Sequence, residues 1–283
     1  MHYVQRRKFS VAHSARLKPV HLASWLRDNA TSFLPPVMNK LMHRHQLNVM
    51  FVAGPNQRTD FHLQEGSEFF FQLRGNMQLP IVHAGRRELV HIREGDVFLL
   101  PSRIPHSPQR PEHNSVGLVM ERQRYMSEPP DGLRFYQDFD MCGQVLWERY
   151  FHCEDLGRDL VPVVQDKTTV VPPPFNLDAW LCSNSAELAA GATLDLFTNH
   201  PDREFRVDMI GGVSEQHDRS EHDVWLHQLR GDVSIFIDGY TIELAEGCCV
   251  IVPPSKEFVV HRPDGTVGMR IRNNPFGNKQ SPM

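Results

Sequence analysis

An internal repeat constrains this chain most. "FQLRGN" at Phe71–Asn76 returns as "HQLRGD" at His227–Asp232, and "EGDVFLLPSRIPH" at Glu94–His106 returns as "EGCCVIVPPSKEF" at Glu246–Phe258. Self-similarity on this scale means two copies of one structural unit. The texture around each copy says which kind of unit. From Met42 to Arg122, short runs such as "QLNVMFVAG", "EFFFQLRG", "DVFLLP" and "SVGLVMERQ" are rich in β-branched and aromatic residues. Turn signals separate them about every 8–12 residues, the rhythm of an all-β sandwich or barrel. "HAGRR" and "REGD" have the composition of hairpin turns. The expectation is an all-β protein built from two β-barrels.

Helices are expected at few places. Leu22, Trp25 and Leu26 lie at helical spacing between His21 and Phe33, ahead of the first copy. "LDAWLCSNSAELAAG" has a similar pattern ahead of the second. "LPPVMNK" is held extended by Pro35 and Pro36. Between Tyr125 and Phe175 the pattern loosens. "GLRFYQDF" and "QVLWERYFHCEDLGRDLVPVV" are expected to contain one short helix, and "QDKTTVVPPPF" to form a proline-stiffened linker.

Composition excludes several classes. A formal charge of −4 gives no electrostatic case for a nucleic-acid partner. No apolar run approaches the roughly 20 residues that cross a bilayer, so no membrane partner is expected. The five cysteines are odd in number, irregularly spaced and without a C-x-x-C pair. That fits reduced thiols in a cytoplasmic protein, and it argues against a cysteine-based metal site. The first 27 residues carry no Asp or Glu but six Lys or Arg. This basic stretch is read as a solvated extension rather than a targeting signal.

Chemistry concentrates between Gly54 and Arg110. In "RTDFHL" a strand would place Arg58, Asp60 and His62 on one face. Three ionisable residues on a face are costly to bury unless they line a site. Glu68 follows six residues after His62, about 20 Å away in a straight strand. One metal ion, with bonds near 2 Å, would reach both only if the chain turned between them. "QEGS" (Gln64–Ser67) has the composition of such a turn. His106 comes from a separate strand that ends at prolines, and Arg110 shares its face. A single histidine in such a barrel is more often structural than a ligand. His62, Glu68 and His106 together are read as a metal site. Asp60 is read as an ion-pair partner for a nearby arginine. Phe69–Phe71 are expected in the core, with one ring facing the pocket.

The spacing of Gly54, His62, Glu68 and Gly75, then Gly95, Pro101 and His106, resembles the paired motif of the cupin superfamily. Asp60 stands where the usual first histidine would be. Two histidines and one carboxylate then suit non-haem Fe(II) with open positions. "GPNQRTDFH", "FFFQLRGNMQL", "EGDVFLLPSRIPHSPQRP" and "VGLVMERQR" further resemble the 3-hydroxyanthranilate 3,4-dioxygenase family, in its animal-type two-barrel form. The resemblance runs from about Leu22 to the C-terminus. It implies two jelly-roll cupin barrels and Fe(2+) held by His62, Glu68 and His106. It implies substrate contacts from Arg58, Arg110 and Glu121, with Glu121 also catalytic, and a further contact from Asn39. The implied partners are 3-hydroxyanthranilate and O2. The implied product is 2-amino-3-carboxymuconate semialdehyde, which closes to quinolinate on the way to NAD.

Aligning the two copies puts Asp218, Val224 and Phe258 opposite His62, Glu68 and His106, so the second barrel is expected to be metal-free. The expected division is residues 1–163 for the extension and catalytic cupin domain, 164–176 for a linker, and 177–283 for the second cupin domain. A second barrel packed on the first would remove the need for a partner, so a monomer is expected. Two other functions stand beside the dioxygenase: a zinc-dependent cupin such as a sugar-phosphate isomerase, and a non-enzymatic binding bicupin. Paired arginines fit a phosphate as well as a carboxylate.

Overall fold

The structure is a computed structural model that describes residues 16–34, 38–125, 128, 131–151 and 170–273. The extreme N-terminus, Pro35 and Pro36, and the segment from His152 to Thr169 lie outside the described residues. The chain begins with β1 (Val20–His21), α1 (Leu22–Asp28) and a 3-10 turn (Ala30–Ser32). The first module follows: β2 (Asn39–Arg44), β3 (Leu47–Ala53), β4 (Phe61–Leu63), β5 (Glu68–Arg74), β6 (Met77–His83), β7 (Arg86–Ile92), β8 (Asp96–Leu100), β9 (Val116–Arg122), β10 (Asp131–Tyr136) and β11 (Val145–Phe151). Then come β12 (Phe175–Asn176), α2 (Leu177–Ser183) and α3 (Ser185–Ala189). The second module contains β13 (Thr193–Asp195), β14 (Phe205–Gly211), β15 (Ser214–Arg219), β16 (Val224–Arg230), β17 (Val233–Ile237), β18 (Tyr240–Leu244), β19 (Cys248–Val252), β20 (Glu257–Arg262) and β21 (Val267–Asn273).

Each module sets a six-stranded antiparallel sheet against smaller ones. The first has the order β12-β8-β5-β9-β3-β2 facing β11-β10-β4 and the β6-β7 hairpin. The second has β1-β19-β16-β21-β14-β13 facing β15-β20-β17-β18. Side-chain alternation on β5 divides the core. Phe70 points into the first module with Met77, Leu79, Ile81 and Phe98. Phe69 points the other way, into a cluster that joins Leu47, Phe51 and Leu118 to Phe205, Met209, Trp225 and Ile271 of the second module. A third cluster, with Leu226, Ile235 and Val260, fills the second module. The largest apolar core thus lies between the two six-stranded sheets.

The modules also exchange edge strands. β1, early in the chain, pairs with β19 of the second module, and β12 pairs with β8 of the first. Each exchanged strand leads into a capped helix. His21 Nδ1 accepts from the Ser24 N–H at 3.3 Å, and Asn176 Oδ1 accepts from the Ala179 N–H at 3.0 Å. The amide that opens each helix bonds across the interface, Leu22 to the Gly247 carbonyl at 3.0 Å and Leu177 to that of Gly95 at 2.9 Å. Both glycines have φ near +80° (82° and 76°), and a Cβ on either would meet the opposite cap residue within 2.7 to 2.9 Å. The glycine of each "EG" repeat therefore serves the exchange.

"GLRFY" and "VLWERYF" form β10 and β11, paired antiparallel from Asp131↔Phe151 to Tyr136↔Val145; the rest of the stretch in which a short helix is expected, from His152 onward, lies outside the described residues. Val145–Arg149 are exposed on both faces, so no burial imposes an alternating pattern that sequence would reveal. "REGD" turns the chain at Gly95 but joins β7 to β8, which belong to different sheets. "HAGRR" does close a hairpin, with Ala84 and Gly85 at φ 49° and 77°.

Candidate metal centre and substrate pocket

The three predicted ligands come from three separate segments that the fold brings together. Glu68 opens β5 and is paired with Leu100 on one side and Glu121 on the other. His62 sits at the centre of β4. His106 exchanges both backbone hydrogen bonds with it, at 2.8 and 3.0 Å. "QEGS" makes the turn between His62 and Glu68. One ligand atom from each side chain lies within 4.8 Å of the other two.

The donors are oriented before any ion arrives. His106 Nδ1–H donates to the Ile104 carbonyl at 2.9 Å, which leaves Nε2 facing Glu68 Oε2 at 2.8 Å. Burial opposes ionisation of Glu68, but His106, His62 and Arg124 together outweigh it, and the carboxyl is held below its usual range. Burial would likewise push His62 down. Asp131, with its Oδ2 at 3.8 Å, and the more distant Glu121 and Glu68 push it up on balance. Gln64 Nε2 donates to Glu68 Oε2 at 3.2 Å, and Arg124 donates to Gln64 Oε1 and to Asp131 Oδ1. Gln64, Arg124 and Asp131 were not singled out from sequence, because nothing local marks them; they matter through contacts that only folding creates. A carboxylate and two imidazoles at this spacing, one ring fixed by a backbone carbonyl, fit a divalent ion with open positions.

A cavity of about 270 Å³ opens over these donors. Arg58, Arg110, Glu121 and Asn39 all line it, with Met50, Val52, Phe70, Val119 and Leu133 as apolar walls. Arg110 is 1% exposed, and its Nε and Nη2 have no hydrogen-bond partner among the described residues. Burial lowers its pKa to about 10, against the opposing pull of Glu68. Arg58 instead clasps Asp60 through Nε (2.9 Å) and Nη2, the ion pair expected for Asp60. Burial and the neighbouring Glu68 raise Glu121 to about 7, with Arg124 and His62 opposing.

The sequence model of the 3-hydroxyanthranilic acid dioxygenase family matches residues 15–168, more than half of the chain. The 3-hydroxyanthranilate 3,4-dioxygenase of Rattus norvegicus is 40% identical over 285 residues, covering 92% of this chain and 98% of the rat protein. The chain belongs to the 3-hydroxyanthranilic acid dioxygenase family. Relatives of the same name from Homo sapiens (40%, covering 90% of this chain and 96% of theirs) and Nematostella vectensis (37%, covering 91% and 100%) agree along nearly their whole length. Among solved structures, a salicylate 1,2-dioxygenase from Pseudaminobacter salicylatoxidans superposes with a TM-score of 0.65 at 13% identity, over 93% of this chain and 85% of that one. A cupin 2 conserved barrel domain protein from Leptotrichia buccalis gives 0.54 at 11%, over 92% and 99%. These likenesses show the fold: the family member is an all-β bicupin with a few short helices.

The second barrel keeps the scaffold with different side chains. Val224 pairs with Val252 and Arg272, as Glu68 pairs with Leu100 and Glu121, and Asp218 pairs with Phe258, as His62 bridges His106. Arg272 and Arg270 stand where the first barrel has Glu121 and Val119. Arg270 bonds to Asp218 at 2.7 Å and Asp208 at 2.8 Å, and Arg272 bonds to Asp208 at 3.1 Å. A network of guanidiniums and carboxylates takes the place of the donor set.

Proposed function

We infer that this chain cleaves 3-hydroxyanthranilate with O2 to 2-amino-3-carboxymuconate semialdehyde, feeding quinolinate and NAD formation. The family supplies the reaction class. The buried Arg110 guanidinium, with two nitrogens unpartnered among the described residues, is the observation that carries the substrate assignment. A desolvated guanidinium without an anion is expensive, and a carboxylate from a small substrate meets it bidentately. Arg58 gives a second positive edge to the same pocket.

His62, Glu68 and His106 are the proposed ligands, and Fe(2+) the proposed ion, because two imidazoles and one carboxylate leave positions for substrate and dioxygen. When bound, the iron supplies an electronic path between the electron-rich ring and O2. The chain's own residues do the rest. Arg110 and Arg58 hold the carboxylate and so fix the ring's rotation. Glu121, poised near neutrality, takes the proton from the ring hydroxyl. Phe70, Val119 and Leu133 exclude water from the face under attack.

The second barrel is proposed to be metal-free, and the chain to divide at residues 1–163, 164–176 and 177–283, with β1 and β12 crossing that division. A monomer is proposed, because the apolar faces of the two six-stranded sheets cover each other. A cytoplasmic location is proposed on the free thiols at Cys142, Cys182, Cys248 and Cys249. No helix among the described residues is long and apolar enough to cross a membrane.

The test is direct. Purified apo-protein is loaded with Fe(II) under nitrogen, given 3-hydroxyanthranilate and air, and followed by semialdehyde absorbance and oxygen uptake. Turnover of a different substrate, with none of hydroxyanthranilate, would sink the assignment. His106→Ala should abolish turnover while far-UV circular dichroism stays that of the parent.

A further inference from the structure

Two acidic residues of the second module reach into the frame of the metal site. Asp202 and Glu204 lie in "HPDREF", between β13 and β14. Asp202 Oδ2 accepts from Ser67 Oγ at 2.8 Å and from the Ser102 N–H at 2.6 Å. Glu204 Oε2 accepts from the Ser67 N–H at 2.6 Å, and its Oε1 accepts from Arg122 Nη2 at 3.2 Å. Ser67 immediately precedes Glu68, and Ser102 begins the turn that delivers His106. Arg122 follows Glu121 in β9. One carboxylate oxygen therefore ties together the two segments that carry Glu68 and His106. The second carboxylate ties the Glu68 turn to the strand that carries Glu121.

The segment that holds these carboxylates is itself fixed. His200 Nε2–H donates to the Leu99 carbonyl at 3.1 Å, while Nδ1 accepts from the Asp202 N–H at 3.3 Å. Both bonds require the same neutral tautomer, and burial lowers the pKa of this ring. Ser67 and Glu204 are completely buried and Ser102 nearly so. Water has little access to replace a lost acceptor, so the Ser67 and Ser102 amides depend on the second module.

We propose that Asp202 and Glu204 are positioning residues through which the second barrel sets the metal affinity of the first. The proposal rests on the reading of His62, Glu68 and His106 as ligands. A carboxylate ligand bound through its neighbour's backbone moves when that backbone loses its partners, and metal affinity follows ligand placement. Outer partners of this kind change affinity by about 10- to 100-fold when removed. Asp202 and Glu204 also give the degenerate barrel a part in the chemistry although its own donor positions hold other residues.

The experiment measures Fe(II) affinity of the full-length chain by equilibrium dialysis under nitrogen, beside steady-state kinetics at saturating iron. Asp202→Ala is expected to weaken Fe(II) binding about tenfold or more, with KM for hydroxyanthranilate unchanged. Asp202→Asn, which keeps an acceptor oxygen, should recover part of the loss. A folded Asp202→Ala protein that binds Fe(II) as tightly as the parent overturns the proposal. If Asp202→Ala does not fold, Ser67→Ala and Asp202→Asn carry the same comparison, and parental affinity in both overturns it. Glu68→Gln is the control on the ligand reading. If Glu68→Gln also binds Fe(II) normally, the ligand assignment has failed; if it alone loses iron, the positioning role of the second barrel has failed.

Discussion

Arg110 and Glu121 occupy opposite ends of the electrostatic problem in the pocket. Two guanidinium nitrogens of Arg110 have no hydrogen-bond partner among the described residues, so its removal should affect binding more than chemistry. Arg110→Ala is expected to raise KM for hydroxyanthranilate by roughly 10- to 100-fold, the worth of a charge-assisted bond, with a smaller change in kcat. Steady-state kinetics with the iron-loaded enzyme checks this. Glu121 is an acid whose folded pKa, about 7, lies above its ordinary 4.5. With respect to this group the metal-free protein is most stable below pH 4.5 and loses that stability as pH rises through 7. Glu121→Gln removes the penalty. Melting of the metal-free variant should therefore exceed that of the parent at pH 8 and match it at pH 4 to 5; a gain at acid pH alone would contradict the assignment.

At the scale of elements, the exchanged strands β1 and β12 are the most specific structural device. Gly95 and Gly247 are each held at positive φ against a helix cap from the opposite module. Alanine at Gly95 would adopt a left-handed conformation, costing about 1–2 kcal/mol, and would also press on Asn176 Nδ2, 2.7 Å from the new Cβ. Gly95→Ala should lower Tm by several degrees in a thermal melt, without changing KM. The same scale explains why β11 is hidden in the sequence. β11 has the β-branched and aromatic content of a strand, but it is exposed on both faces up to Tyr150, so only its pairing with β10 identifies it.

For the whole molecule, the largest apolar cluster belongs to neither module alone. Phe69 and Trp225, both fully buried, face each other's sheets across it. Phe69→Ala should cost about 3–5 kcal/mol, read as a lower denaturation midpoint of the full chain. A chain ending at residue 163 should expose this face and associate, which size-exclusion chromatography would reveal as species larger than the truncated monomer. The proposed metal-free second barrel predicts one iron per chain in a metal analysis of the loaded protein. Two per chain would contradict it.

What sequence determined by itself is local or repeated: the duplication, the β texture, the helical stretch ahead of each module, and the close spacing of His62 and Glu68 with Arg58 nearby. These are legible because strand alternation, turn composition and ligand spacing act over a few residues, and because the repeat displays one scaffold twice. His106 and Arg110 were legible as a motif, but their approach to β4 required the sheet. Tertiary structure alone decided the rest. Edge strands cross between modules, Arg124 and Asp131 brace the proposed ligands, and Asp202 and Glu204 fasten the turn before Glu68 from 100 or more residues away in sequence. Such contacts leave no local pattern, since a carboxylate that accepts buried amides looks in sequence like any surface acid until the fold shuts out water.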